Sequence, residues 1–343
     1  MEKVLTISVA AYNIEKYVDK LMESFSMLSD DNKDKLEVLI VNDGSTDNTK
    51  QCVTEYLDKY PDTLRLCDKS NGGYGSTINY SIGIAKGKYF KQLDGDDWFV
   101  SENLKGFIDF LDRVDSDLVI TPLIECYETE NNSFKTKVID NHLYLSGNPV
   151  ELNNCPINKN VLMHELTIKT KCLRDNNIRI TENCFYTDNE YVVLPFLKAE
   201  TICKYSKAIY CYRLGINGQS VSLDGIRRHY KDMLKVSTKL VDEYIKNNDI
   251  SDNKRGYLLE IKYPSLIRNL FITYMVLEKP NKVKHELMDF DVSLKRNCPE
   301  LYQATMKSKY IRILRHTKYI FYGVLCRYVL HKFIVDHKNH KGA

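Results

Sequence analysis

Asp94, Asp96 and Asp97 fall within four positions of "KQLDGDDWFV" (91–100), directly after residues that read as the end of a strand. Like charges this close repel, and none of them is buried without a partner. Gly95, with no side chain, lets the backbone bend so that the first two carboxylates face one way. Oxygen ligands of this kind suit Mg2+ or Mn2+, and Mg2+ usually completes its shell with water and a substrate phosphate. The chemistry on offer is a divalent cation beside a phosphate; the plain alternative is a solvated turn capping the next helix. An EF-hand is excluded, because neither its D-x-[DN]-x-[DN]-G order nor its Glu at position twelve is present.

Two further stretches carry polar groups after apolar runs. In "VNDGSTDNT" (41–49), Asp43 follows a buried-looking strand and could accept hydrogen bonds from a nucleobase imide or amide. An Asx-turn with a helix cap at Ser45 or Thr46 is the competing explanation. In "NGGYGSTINYSIGIAKGKYF" (71–90), Gly72, Gly73 and Gly75 precede a helix. This is not a dinucleotide fingerprint, which belongs in the first strand-helix turn with an acidic residue about 20 positions on. A loop whose backbone approaches a ligand closely still fits, as does a plain connector.

The elements that must position these residues alternate over the first 122 positions. Strands are expected at Val4–Ala10, 36–42, 63–67, 88–93 and 117–122, and helices at 15–28, 46–59, 75–86 and 101–113. Such alternation predicts an α/β fold, a mainly parallel sheet with helices on both faces. Ligands in these sheets bind outside the carboxyl ends of strands, where "SVAAYN", "VNDGSTDN" and "LDGDDW" fall. After about 125 the pattern loosens into a loop or hairpin, a turn-rich stretch at 142–160, and a block at 161–215 with a strand near "AIYCYRL". From about 226 onward it reads as helices, with Pro264 expected to kink or break one of them. The expected division is 1–222 and a helical region, 223–343.

The 343 residues are 43% hydrophobic and 28% charged, with a net charge of +3, so overall charge gives no reason to expect a nucleic-acid partner. Positions 307–343, however, carry nine Lys and Arg against the single acidic residue Asp336. They are interleaved with Tyr, Phe, Ile and Leu, the pattern of a basic amphipathic helix at an anionic membrane surface. The most apolar late stretch, Tyr319 to Val335, is interrupted by Arg327, His331 and Lys332 and falls short of a spanning helix. The opening "MEKVLTISVAAYN" does not read as a signal peptide. Ten scattered cysteines without a CxxC pair suit reduced thiols. The expected location is cytoplasmic, peripheral at the inner face of the membrane.

Taken in order, "SVAAYN", "VNDGSTDN", the glycine run (Asn71, Gly73, Gly75, Asn79, Gly83, Ala85, Gly87, Tyr89) and "LDGDDW" resemble the family-2 glycosyltransferases of the GT-A fold. The likeness is strong over roughly 4–125 and weaker to about 222. It implies a nucleotide-sugar donor whose base pocket is lined by Ala11, Tyr12 and Asn13, with Asp43 bonding the base, most often uracil. Gly73 and Gly75 would belong to the donor loop. Asp96 would lie closest to a Mn2+ or Mg2+ ion, Asp94 toward the ribose or a metal-bound water, and Asp97 would support the turn. The acceptor's general base would be Asp188 in "ENCFYTDNEYVVLPF" (182–196), with Glu190 and Glu182 as rivals. Arg213 would approach the diphosphate, and a loop with Gly215, Gly218 and Ser220 would close over the donor. His229 stands where some relatives place a late metal ligand, but reads better as a surface residue. The chain departs from the family pattern at Ala10, Asn42 and Thr187, where Pro, Asp and Glu are usual.

The function implied is metal-dependent, inverting transfer from a UDP-sugar to a hydroxyl of a glycan or lipid-linked acceptor in cell-surface polysaccharide synthesis. Two alternatives remain. Nucleotidyl transfer to a sugar phosphate is opposed by the lack of an early Gly-rich loop with a following Lys. A non-catalytic nucleotide-sugar binder is opposed by the retained Asp94, Asp96 and acidic 182–190 segment.

Overall fold

The computed structural model describes residues 2–129, 133–154, 157–215, 222–247, 250 and 252–341, with side chains to 335. The chain divides into two compact units, Met1–Leu214 and Gly215–Ala343. The strands of the first are β1 (Leu5–Ala11), β2 (Leu36–Asn42), β3 (Leu64–Asp68), β4 (Tyr89–Asp94), β5 (Trp98–Phe99), β6 (Leu118–Ile120), β7 (Leu123–Glu128), β8 (Phe134–Ile139), β9 (Val150–Glu151), β10 (Leu166–Lys169), β11 (Thr201–Lys204) and β12 (Tyr210–Leu214). Its helices are α1 (Val18–Glu23), α2 (Asp30–Lys35), α3 (Thr49–Thr54), α4 (Tyr74–Ile84), α5 (Ser101–Arg113), α6 (Thr170–Asp175) and α7 (Asp188–Lys198).

Eight strands form one sheet in the order β3-β2-β1-β4-β10-β6-β11-β9, and β5-β12-β7-β8 form a second. The pairs β3–β2, β2–β1 and β1–β4 are parallel, whereas β10 runs antiparallel to both neighbours. The sheet is therefore mainly parallel, as the alternation predicts. Strand β1 lies in its middle with both faces covered: Leu5, Ile7, Val9 and Ala11 are wholly buried, and so are Thr6 and Ser8. Buried hydroxyls need partners. Thr6 donates to Glu37 (2.7 Å) and accepts from the Gly87 amide (2.8 Å), while Ser8 pairs with Ser81 (2.8 Å).

Local chemistry explains where the helices depart from expectation. Instead of one helix over 46–59, α3 covers six residues and a short 3-10 turn follows at Leu57–Lys59. Neither Ser45 nor Thr46 caps it. The Ser45 hydroxyl accepts from the Asn13 amide (3.0 Å), and the Thr46 amide donates to the Asn13 side chain (2.8 Å). Both thus tie the end of β2 to the end of β1, and Asp47 takes the helix-start bonds through Thr49 (3.0 Å to its amide). The 15–28 helix shortens likewise to α1.

The second unit is helical: α8 (Leu223–Arg228), α9 (Tyr230–Lys246), α10 (Asp252–Tyr257), α11 (Tyr263–Met275), α12 (Pro280–Asn297), α13 (Pro299–Ala304), α14 (Lys309–His316) and α15 (Tyr322–Lys341). Pro264 sits where a wider π-helical segment at Leu258–Lys262 passes into α11, so the chain accommodates it by widening the helix instead of ending it. Among the described residues no helix is long and apolar enough to cross a membrane.

A buried ion pair anchors the end of this unit. The Arg315 guanidinium donates twice to Asp291 (2.7 and 3.0 Å to Oδ1) and once to the Tyr302 carbonyl (2.6 Å), and it lies 3.6 Å over the Tyr302 ring. The Tyr319 hydroxyl donates to the other Asp291 oxygen (2.8 Å). Removing one partner strands the other charge in a desolvated site, so Asp291→Ala should lower the stability of this unit by about 3–5 kcal/mol in chemical denaturation. A loss under about 1 kcal/mol, the scale of an exposed pair, would show that water reaches Arg315.

Candidate functional site

The parallel register of β2, β1 and β4 lines up their carboxyl ends: Ala11 pairs with Asn42, and Ala10 with Asp94. At about 4.8 Å per strand, Asp43 and Asp94 stand roughly 10 Å apart on either side of Tyr12. Tyr12 is half exposed, and Asn13 takes a left-handed conformation (φ 55°) that turns the chain away from the sheet.

Asp43 is not an open acceptor. Its carboxylate takes the Gly72 and Gly73 amides (2.9 and 2.8 Å) and the Lys69 ammonium (2.6 Å), and its own amide donates to the Ala11 carbonyl (2.8 Å). The glycine loop is therefore folded onto Asp43. Gly75 has a different cause from ligand approach. A Cβ there would lie 2.1 Å from the Thr181 carbonyl oxygen, so its lack of a side chain lets α4 pack against that segment. Gly95 is similar, since a Cβ would lie 2.6 Å from the Ala10 oxygen.

At the acidic turn the three carboxylates separate by role. Asp97 is buried, accepting from the Tyr210 hydroxyl (2.7 Å) and the Arg213 amide (2.7 Å). Burial, then Asp94 and Asp96, hold its pKa well above the usual carboxylate range. Asp94 remains partly exposed, with the Tyr74 hydroxyl donating to it at 2.5 Å and its amide donating to Tyr210 (3.1 Å). Asp96 is pushed up to about 6 by burial and by Asp94. Arg213, expected to approach the diphosphate, is enclosed. Its guanidinium lies 4.8–5.0 Å from the rings of Tyr17, Trp98 and Phe134 and donates to the Asp96 carbonyl (2.8 Å). Here it clamps the turn.

His164 enters the site unannounced by any motif. Its ring stacks on Tyr212 (4.0 Å), and Nε2 is 3.8 Å from Asp94. The donor atoms that converge within 4.8 Å of one another belong to Asp94, Asp97 and His164, with Asp96 outside that triad. The other histidine considered, His229, pairs with Asp232 (3.5 Å) in the helical unit. Beneath the site, fully buried Lys91 donates to the His164 and Leu166 carbonyls (3.0 and 3.3 Å) and so holds this turn against β4. A lysine in a buried strand three residues before an acidic turn was the available signal for it.

Of the three candidate bases, Glu190 is buried and accepts from the Thr181 amide and hydroxyl (2.7 and 2.8 Å), while Glu182 accepts from Asn79 (2.9 Å). Asp188 is exposed at the start of α7. After burial and Asp94, its charge contributes to raising the Tyr74 pKa. Gly218 and Ser220 of the expected closing loop lie outside the described residues.

Residues 6–174 match the family model described as Glycosyl transferase family 2. The uncharacterized glycosyltransferase MG025 of Mycoplasma genitalium is 36% identical over 151 residues, 41% of this chain and 49% of that protein. The poly(ribitol-phosphate) beta-N-acetylglucosaminyltransferase TarS of Staphylococcus aureus is 26% identical over 220 residues, 63% of this chain and 36% of that protein. The minor teichoic acid biosynthesis protein GgaB of Bacillus subtilis is 26% identical over 295 residues, 84% of this chain and 30% of that protein. The chain thus spans half or less of the length of these relatives. Among solved structures, S. aureus TarS 1–349 in complex with UDP-GlcNAc superposes with a TM-score of 0.67 at 21% identity, covering 97% of this chain and 92% of that one. A mannosyltransferase of Pyrobaculum calidifontis in complex with GDP-Man and Mn2+ gives 0.51 at 14%, covering 94% and 88%. These likenesses establish the GT-A fold.

Two outcomes check the packing around the site. Gly75→Ala should destabilise the protein by about 1–3 kcal/mol, because the backbone of Thr181 must move; unchanged stability would remove the packing reason for that glycine. Burial lowers Lys91 from 10.5 to about 7. Between those pH values the unfolded chain binds more protons at this residue than the folded one, so its contribution to stability rises with pH, by at most about 1.4 kcal/mol per unit. Lys91→Met should flatten that part of the stability–pH curve; parallel curves would refute a neutralised buried lysine.

Proposed function

Because residues 6–174 match the family model of glycosyl transferase family 2, we propose that this protein moves a sugar from a UDP-sugar to a hydroxyl of a glycan or lipid-linked acceptor, with inversion, in cell-surface polysaccharide synthesis at the inner face of the membrane. The observation that carries the reading is the row of strand ends. Asp43 lies at one side, Asp94 and Asp96 at the other and Tyr12 between them, while exposed Asp188 starts α7. Relatives named for teichoic-acid synthesis and a UDP-GlcNAc-bound neighbour support this donor and acceptor class.

Asp94 and Asp96 fit a divalent cation, Mn2+ or Mg2+. Burial, then the neighbouring Asp94, holds Asp96 up at about 6, and the His164 imidazole lies 3.8 Å from Asp94. Bound there, the ion would supply Lewis-acid stabilisation of charge on the departing diphosphate. The remaining work belongs to the chain. Tyr12 offers its exposed ring to the base, the Gly72–Gly73 backbone held by Asp43 shapes the pocket floor, and Arg213 keeps the acidic turn in place. Asp188 takes the proton of the acceptor hydroxyl as that oxygen bonds to the anomeric carbon and the bond to UDP breaks.

UDP release from UDP-GlcNAc and a panel of UDP-sugars, with Mn2+ and with EDTA, tests the reading. Asp188→Asn should lower kcat by about 10²–10⁴ with little change in UDP affinity. Asp94→Asn and Asp96→Asn should abolish metal-dependent release. Full turnover in Asp188→Asn would reject it as the base, and release of inorganic diphosphate instead of UDP would mark nucleotidyl transfer.

A further inference from the structure

The last two helices of the second unit leave an apolar face uncovered. On α15, Tyr322, Cys326 and Val329 are buried on one side of the helix, which packs against α11 and α12. The opposite side carries Val324, Tyr328, His331 and Val335, spaced four, three and four apart and hence in one stripe. Val324 is 65% exposed and Tyr328 59%, and just ahead of the helix Ile320 is 76% and Phe321 53% exposed. Tyr310 of α14 contacts Tyr328 (6.4 Å between rings), which joins the exposed side of α14, with Ile313, to the same surface. Burial elsewhere does not explain these side chains.

Among the described side chains of α14 and α15, the charges that border the stripe are positive. Arg327 and Lys332 flank it along α15, and Lys309, Arg312 and Lys318 stand exposed on α14 and the following turn. Among the described residues none of these five has an acidic partner, in contrast to Arg315, which is buried against Asp291. Cations bordering large apolar side chains complement a bilayer whose headgroups are anionic and whose boundary accepts Phe, Ile and Tyr.

We propose that the face formed by Ile313, Ile320, Phe321, Val324 and Tyr328, with its basic border, docks on an anionic membrane surface and lies in the plane of the headgroups. The proposal deepens the membrane placement within the proposed function, but lipid binding is read without any sugar donor, so the two fail separately.

The experiment is co-sedimentation of the full chain with vesicles of phosphatidylcholine alone, or with about a third phosphatidylglycerol. Binding should require the anionic lipid and weaken as salt rises, since exposed charges are screened. The double variant Phe321→Ser, Val324→Ser and the triple variant Arg312→Glu, Lys318→Glu, Arg327→Glu should each lose roughly tenfold in vesicle affinity. All of these positions are exposed, so folding, followed by circular dichroism, and UDP release should be retained. Equal binding to neutral vesicles, or undiminished binding in both variants, overturns the proposal. So does a lipid-free dimer that the double variant dissociates while vesicle binding is absent, an outcome that assigns the face to a second copy of the chain.

Discussion

One buried carboxyl group organises the front of the first unit. Asp97 takes the Tyr210 hydroxyl on one oxygen and the Arg213 amide on the other, so the acidic turn after β4 is bound to β12 of the second sheet. Burying a carboxylate is costly unless both oxygens are satisfied, and here they are. Because Asp97 faces inward, Asp94 and Asp96 are left toward the opening. The Arg213 guanidinium, packed among three rings, secures the same turn through the Asp96 carbonyl.

A second layer of polar structure lies under that turn. Lys91 fastens the carbonyls of His164 and Leu166, and through them the short link before β10, to the central sheet. This link runs antiparallel into an otherwise mainly parallel array and brings His164 to within 3.8 Å of Asp94. The hydrogen bonds of a buried lysine thus set the position of an imidazole on a distant part of the chain. On the neighbouring strand end Asp43 acts comparably, collecting the Gly72 and Gly73 amides and Lys69 so that the glycine loop takes one shape.

Much of this was legible before any fold was seen. β2 and α5 fall on the expected residues, 36–42 and 101–113, because each is a strong local pattern bounded by turn chemistry. The acidic turn and the start of α4 were visible for the same reason. Less legible were elements whose ends depend on distant partners. Ser45 and Thr46 carry the chemistry of helix caps, yet Asn13 holds both, and the helix begins at Thr49 instead. Gly75 reads as a ligand-approach glycine, but the space it leaves is filled by Thr181, more than a hundred positions away.

The sequence by itself determined the alternation of strand and helix, the polar strand ends and the excess of Lys and Arg after position 307, since each rests on neighbours or fixed spacing along the chain. Only the tertiary structure decided which polar groups stand open and which are enclosed. It turned Arg213 inward, occupied Asp43, buried Glu190 against Thr181 and brought His164 to Asp94. The physical reason is that a side chain's accessibility and charge partners are properties of contacts between residues far apart in sequence. Local pattern names the groups able to do chemistry, and packing selects among them.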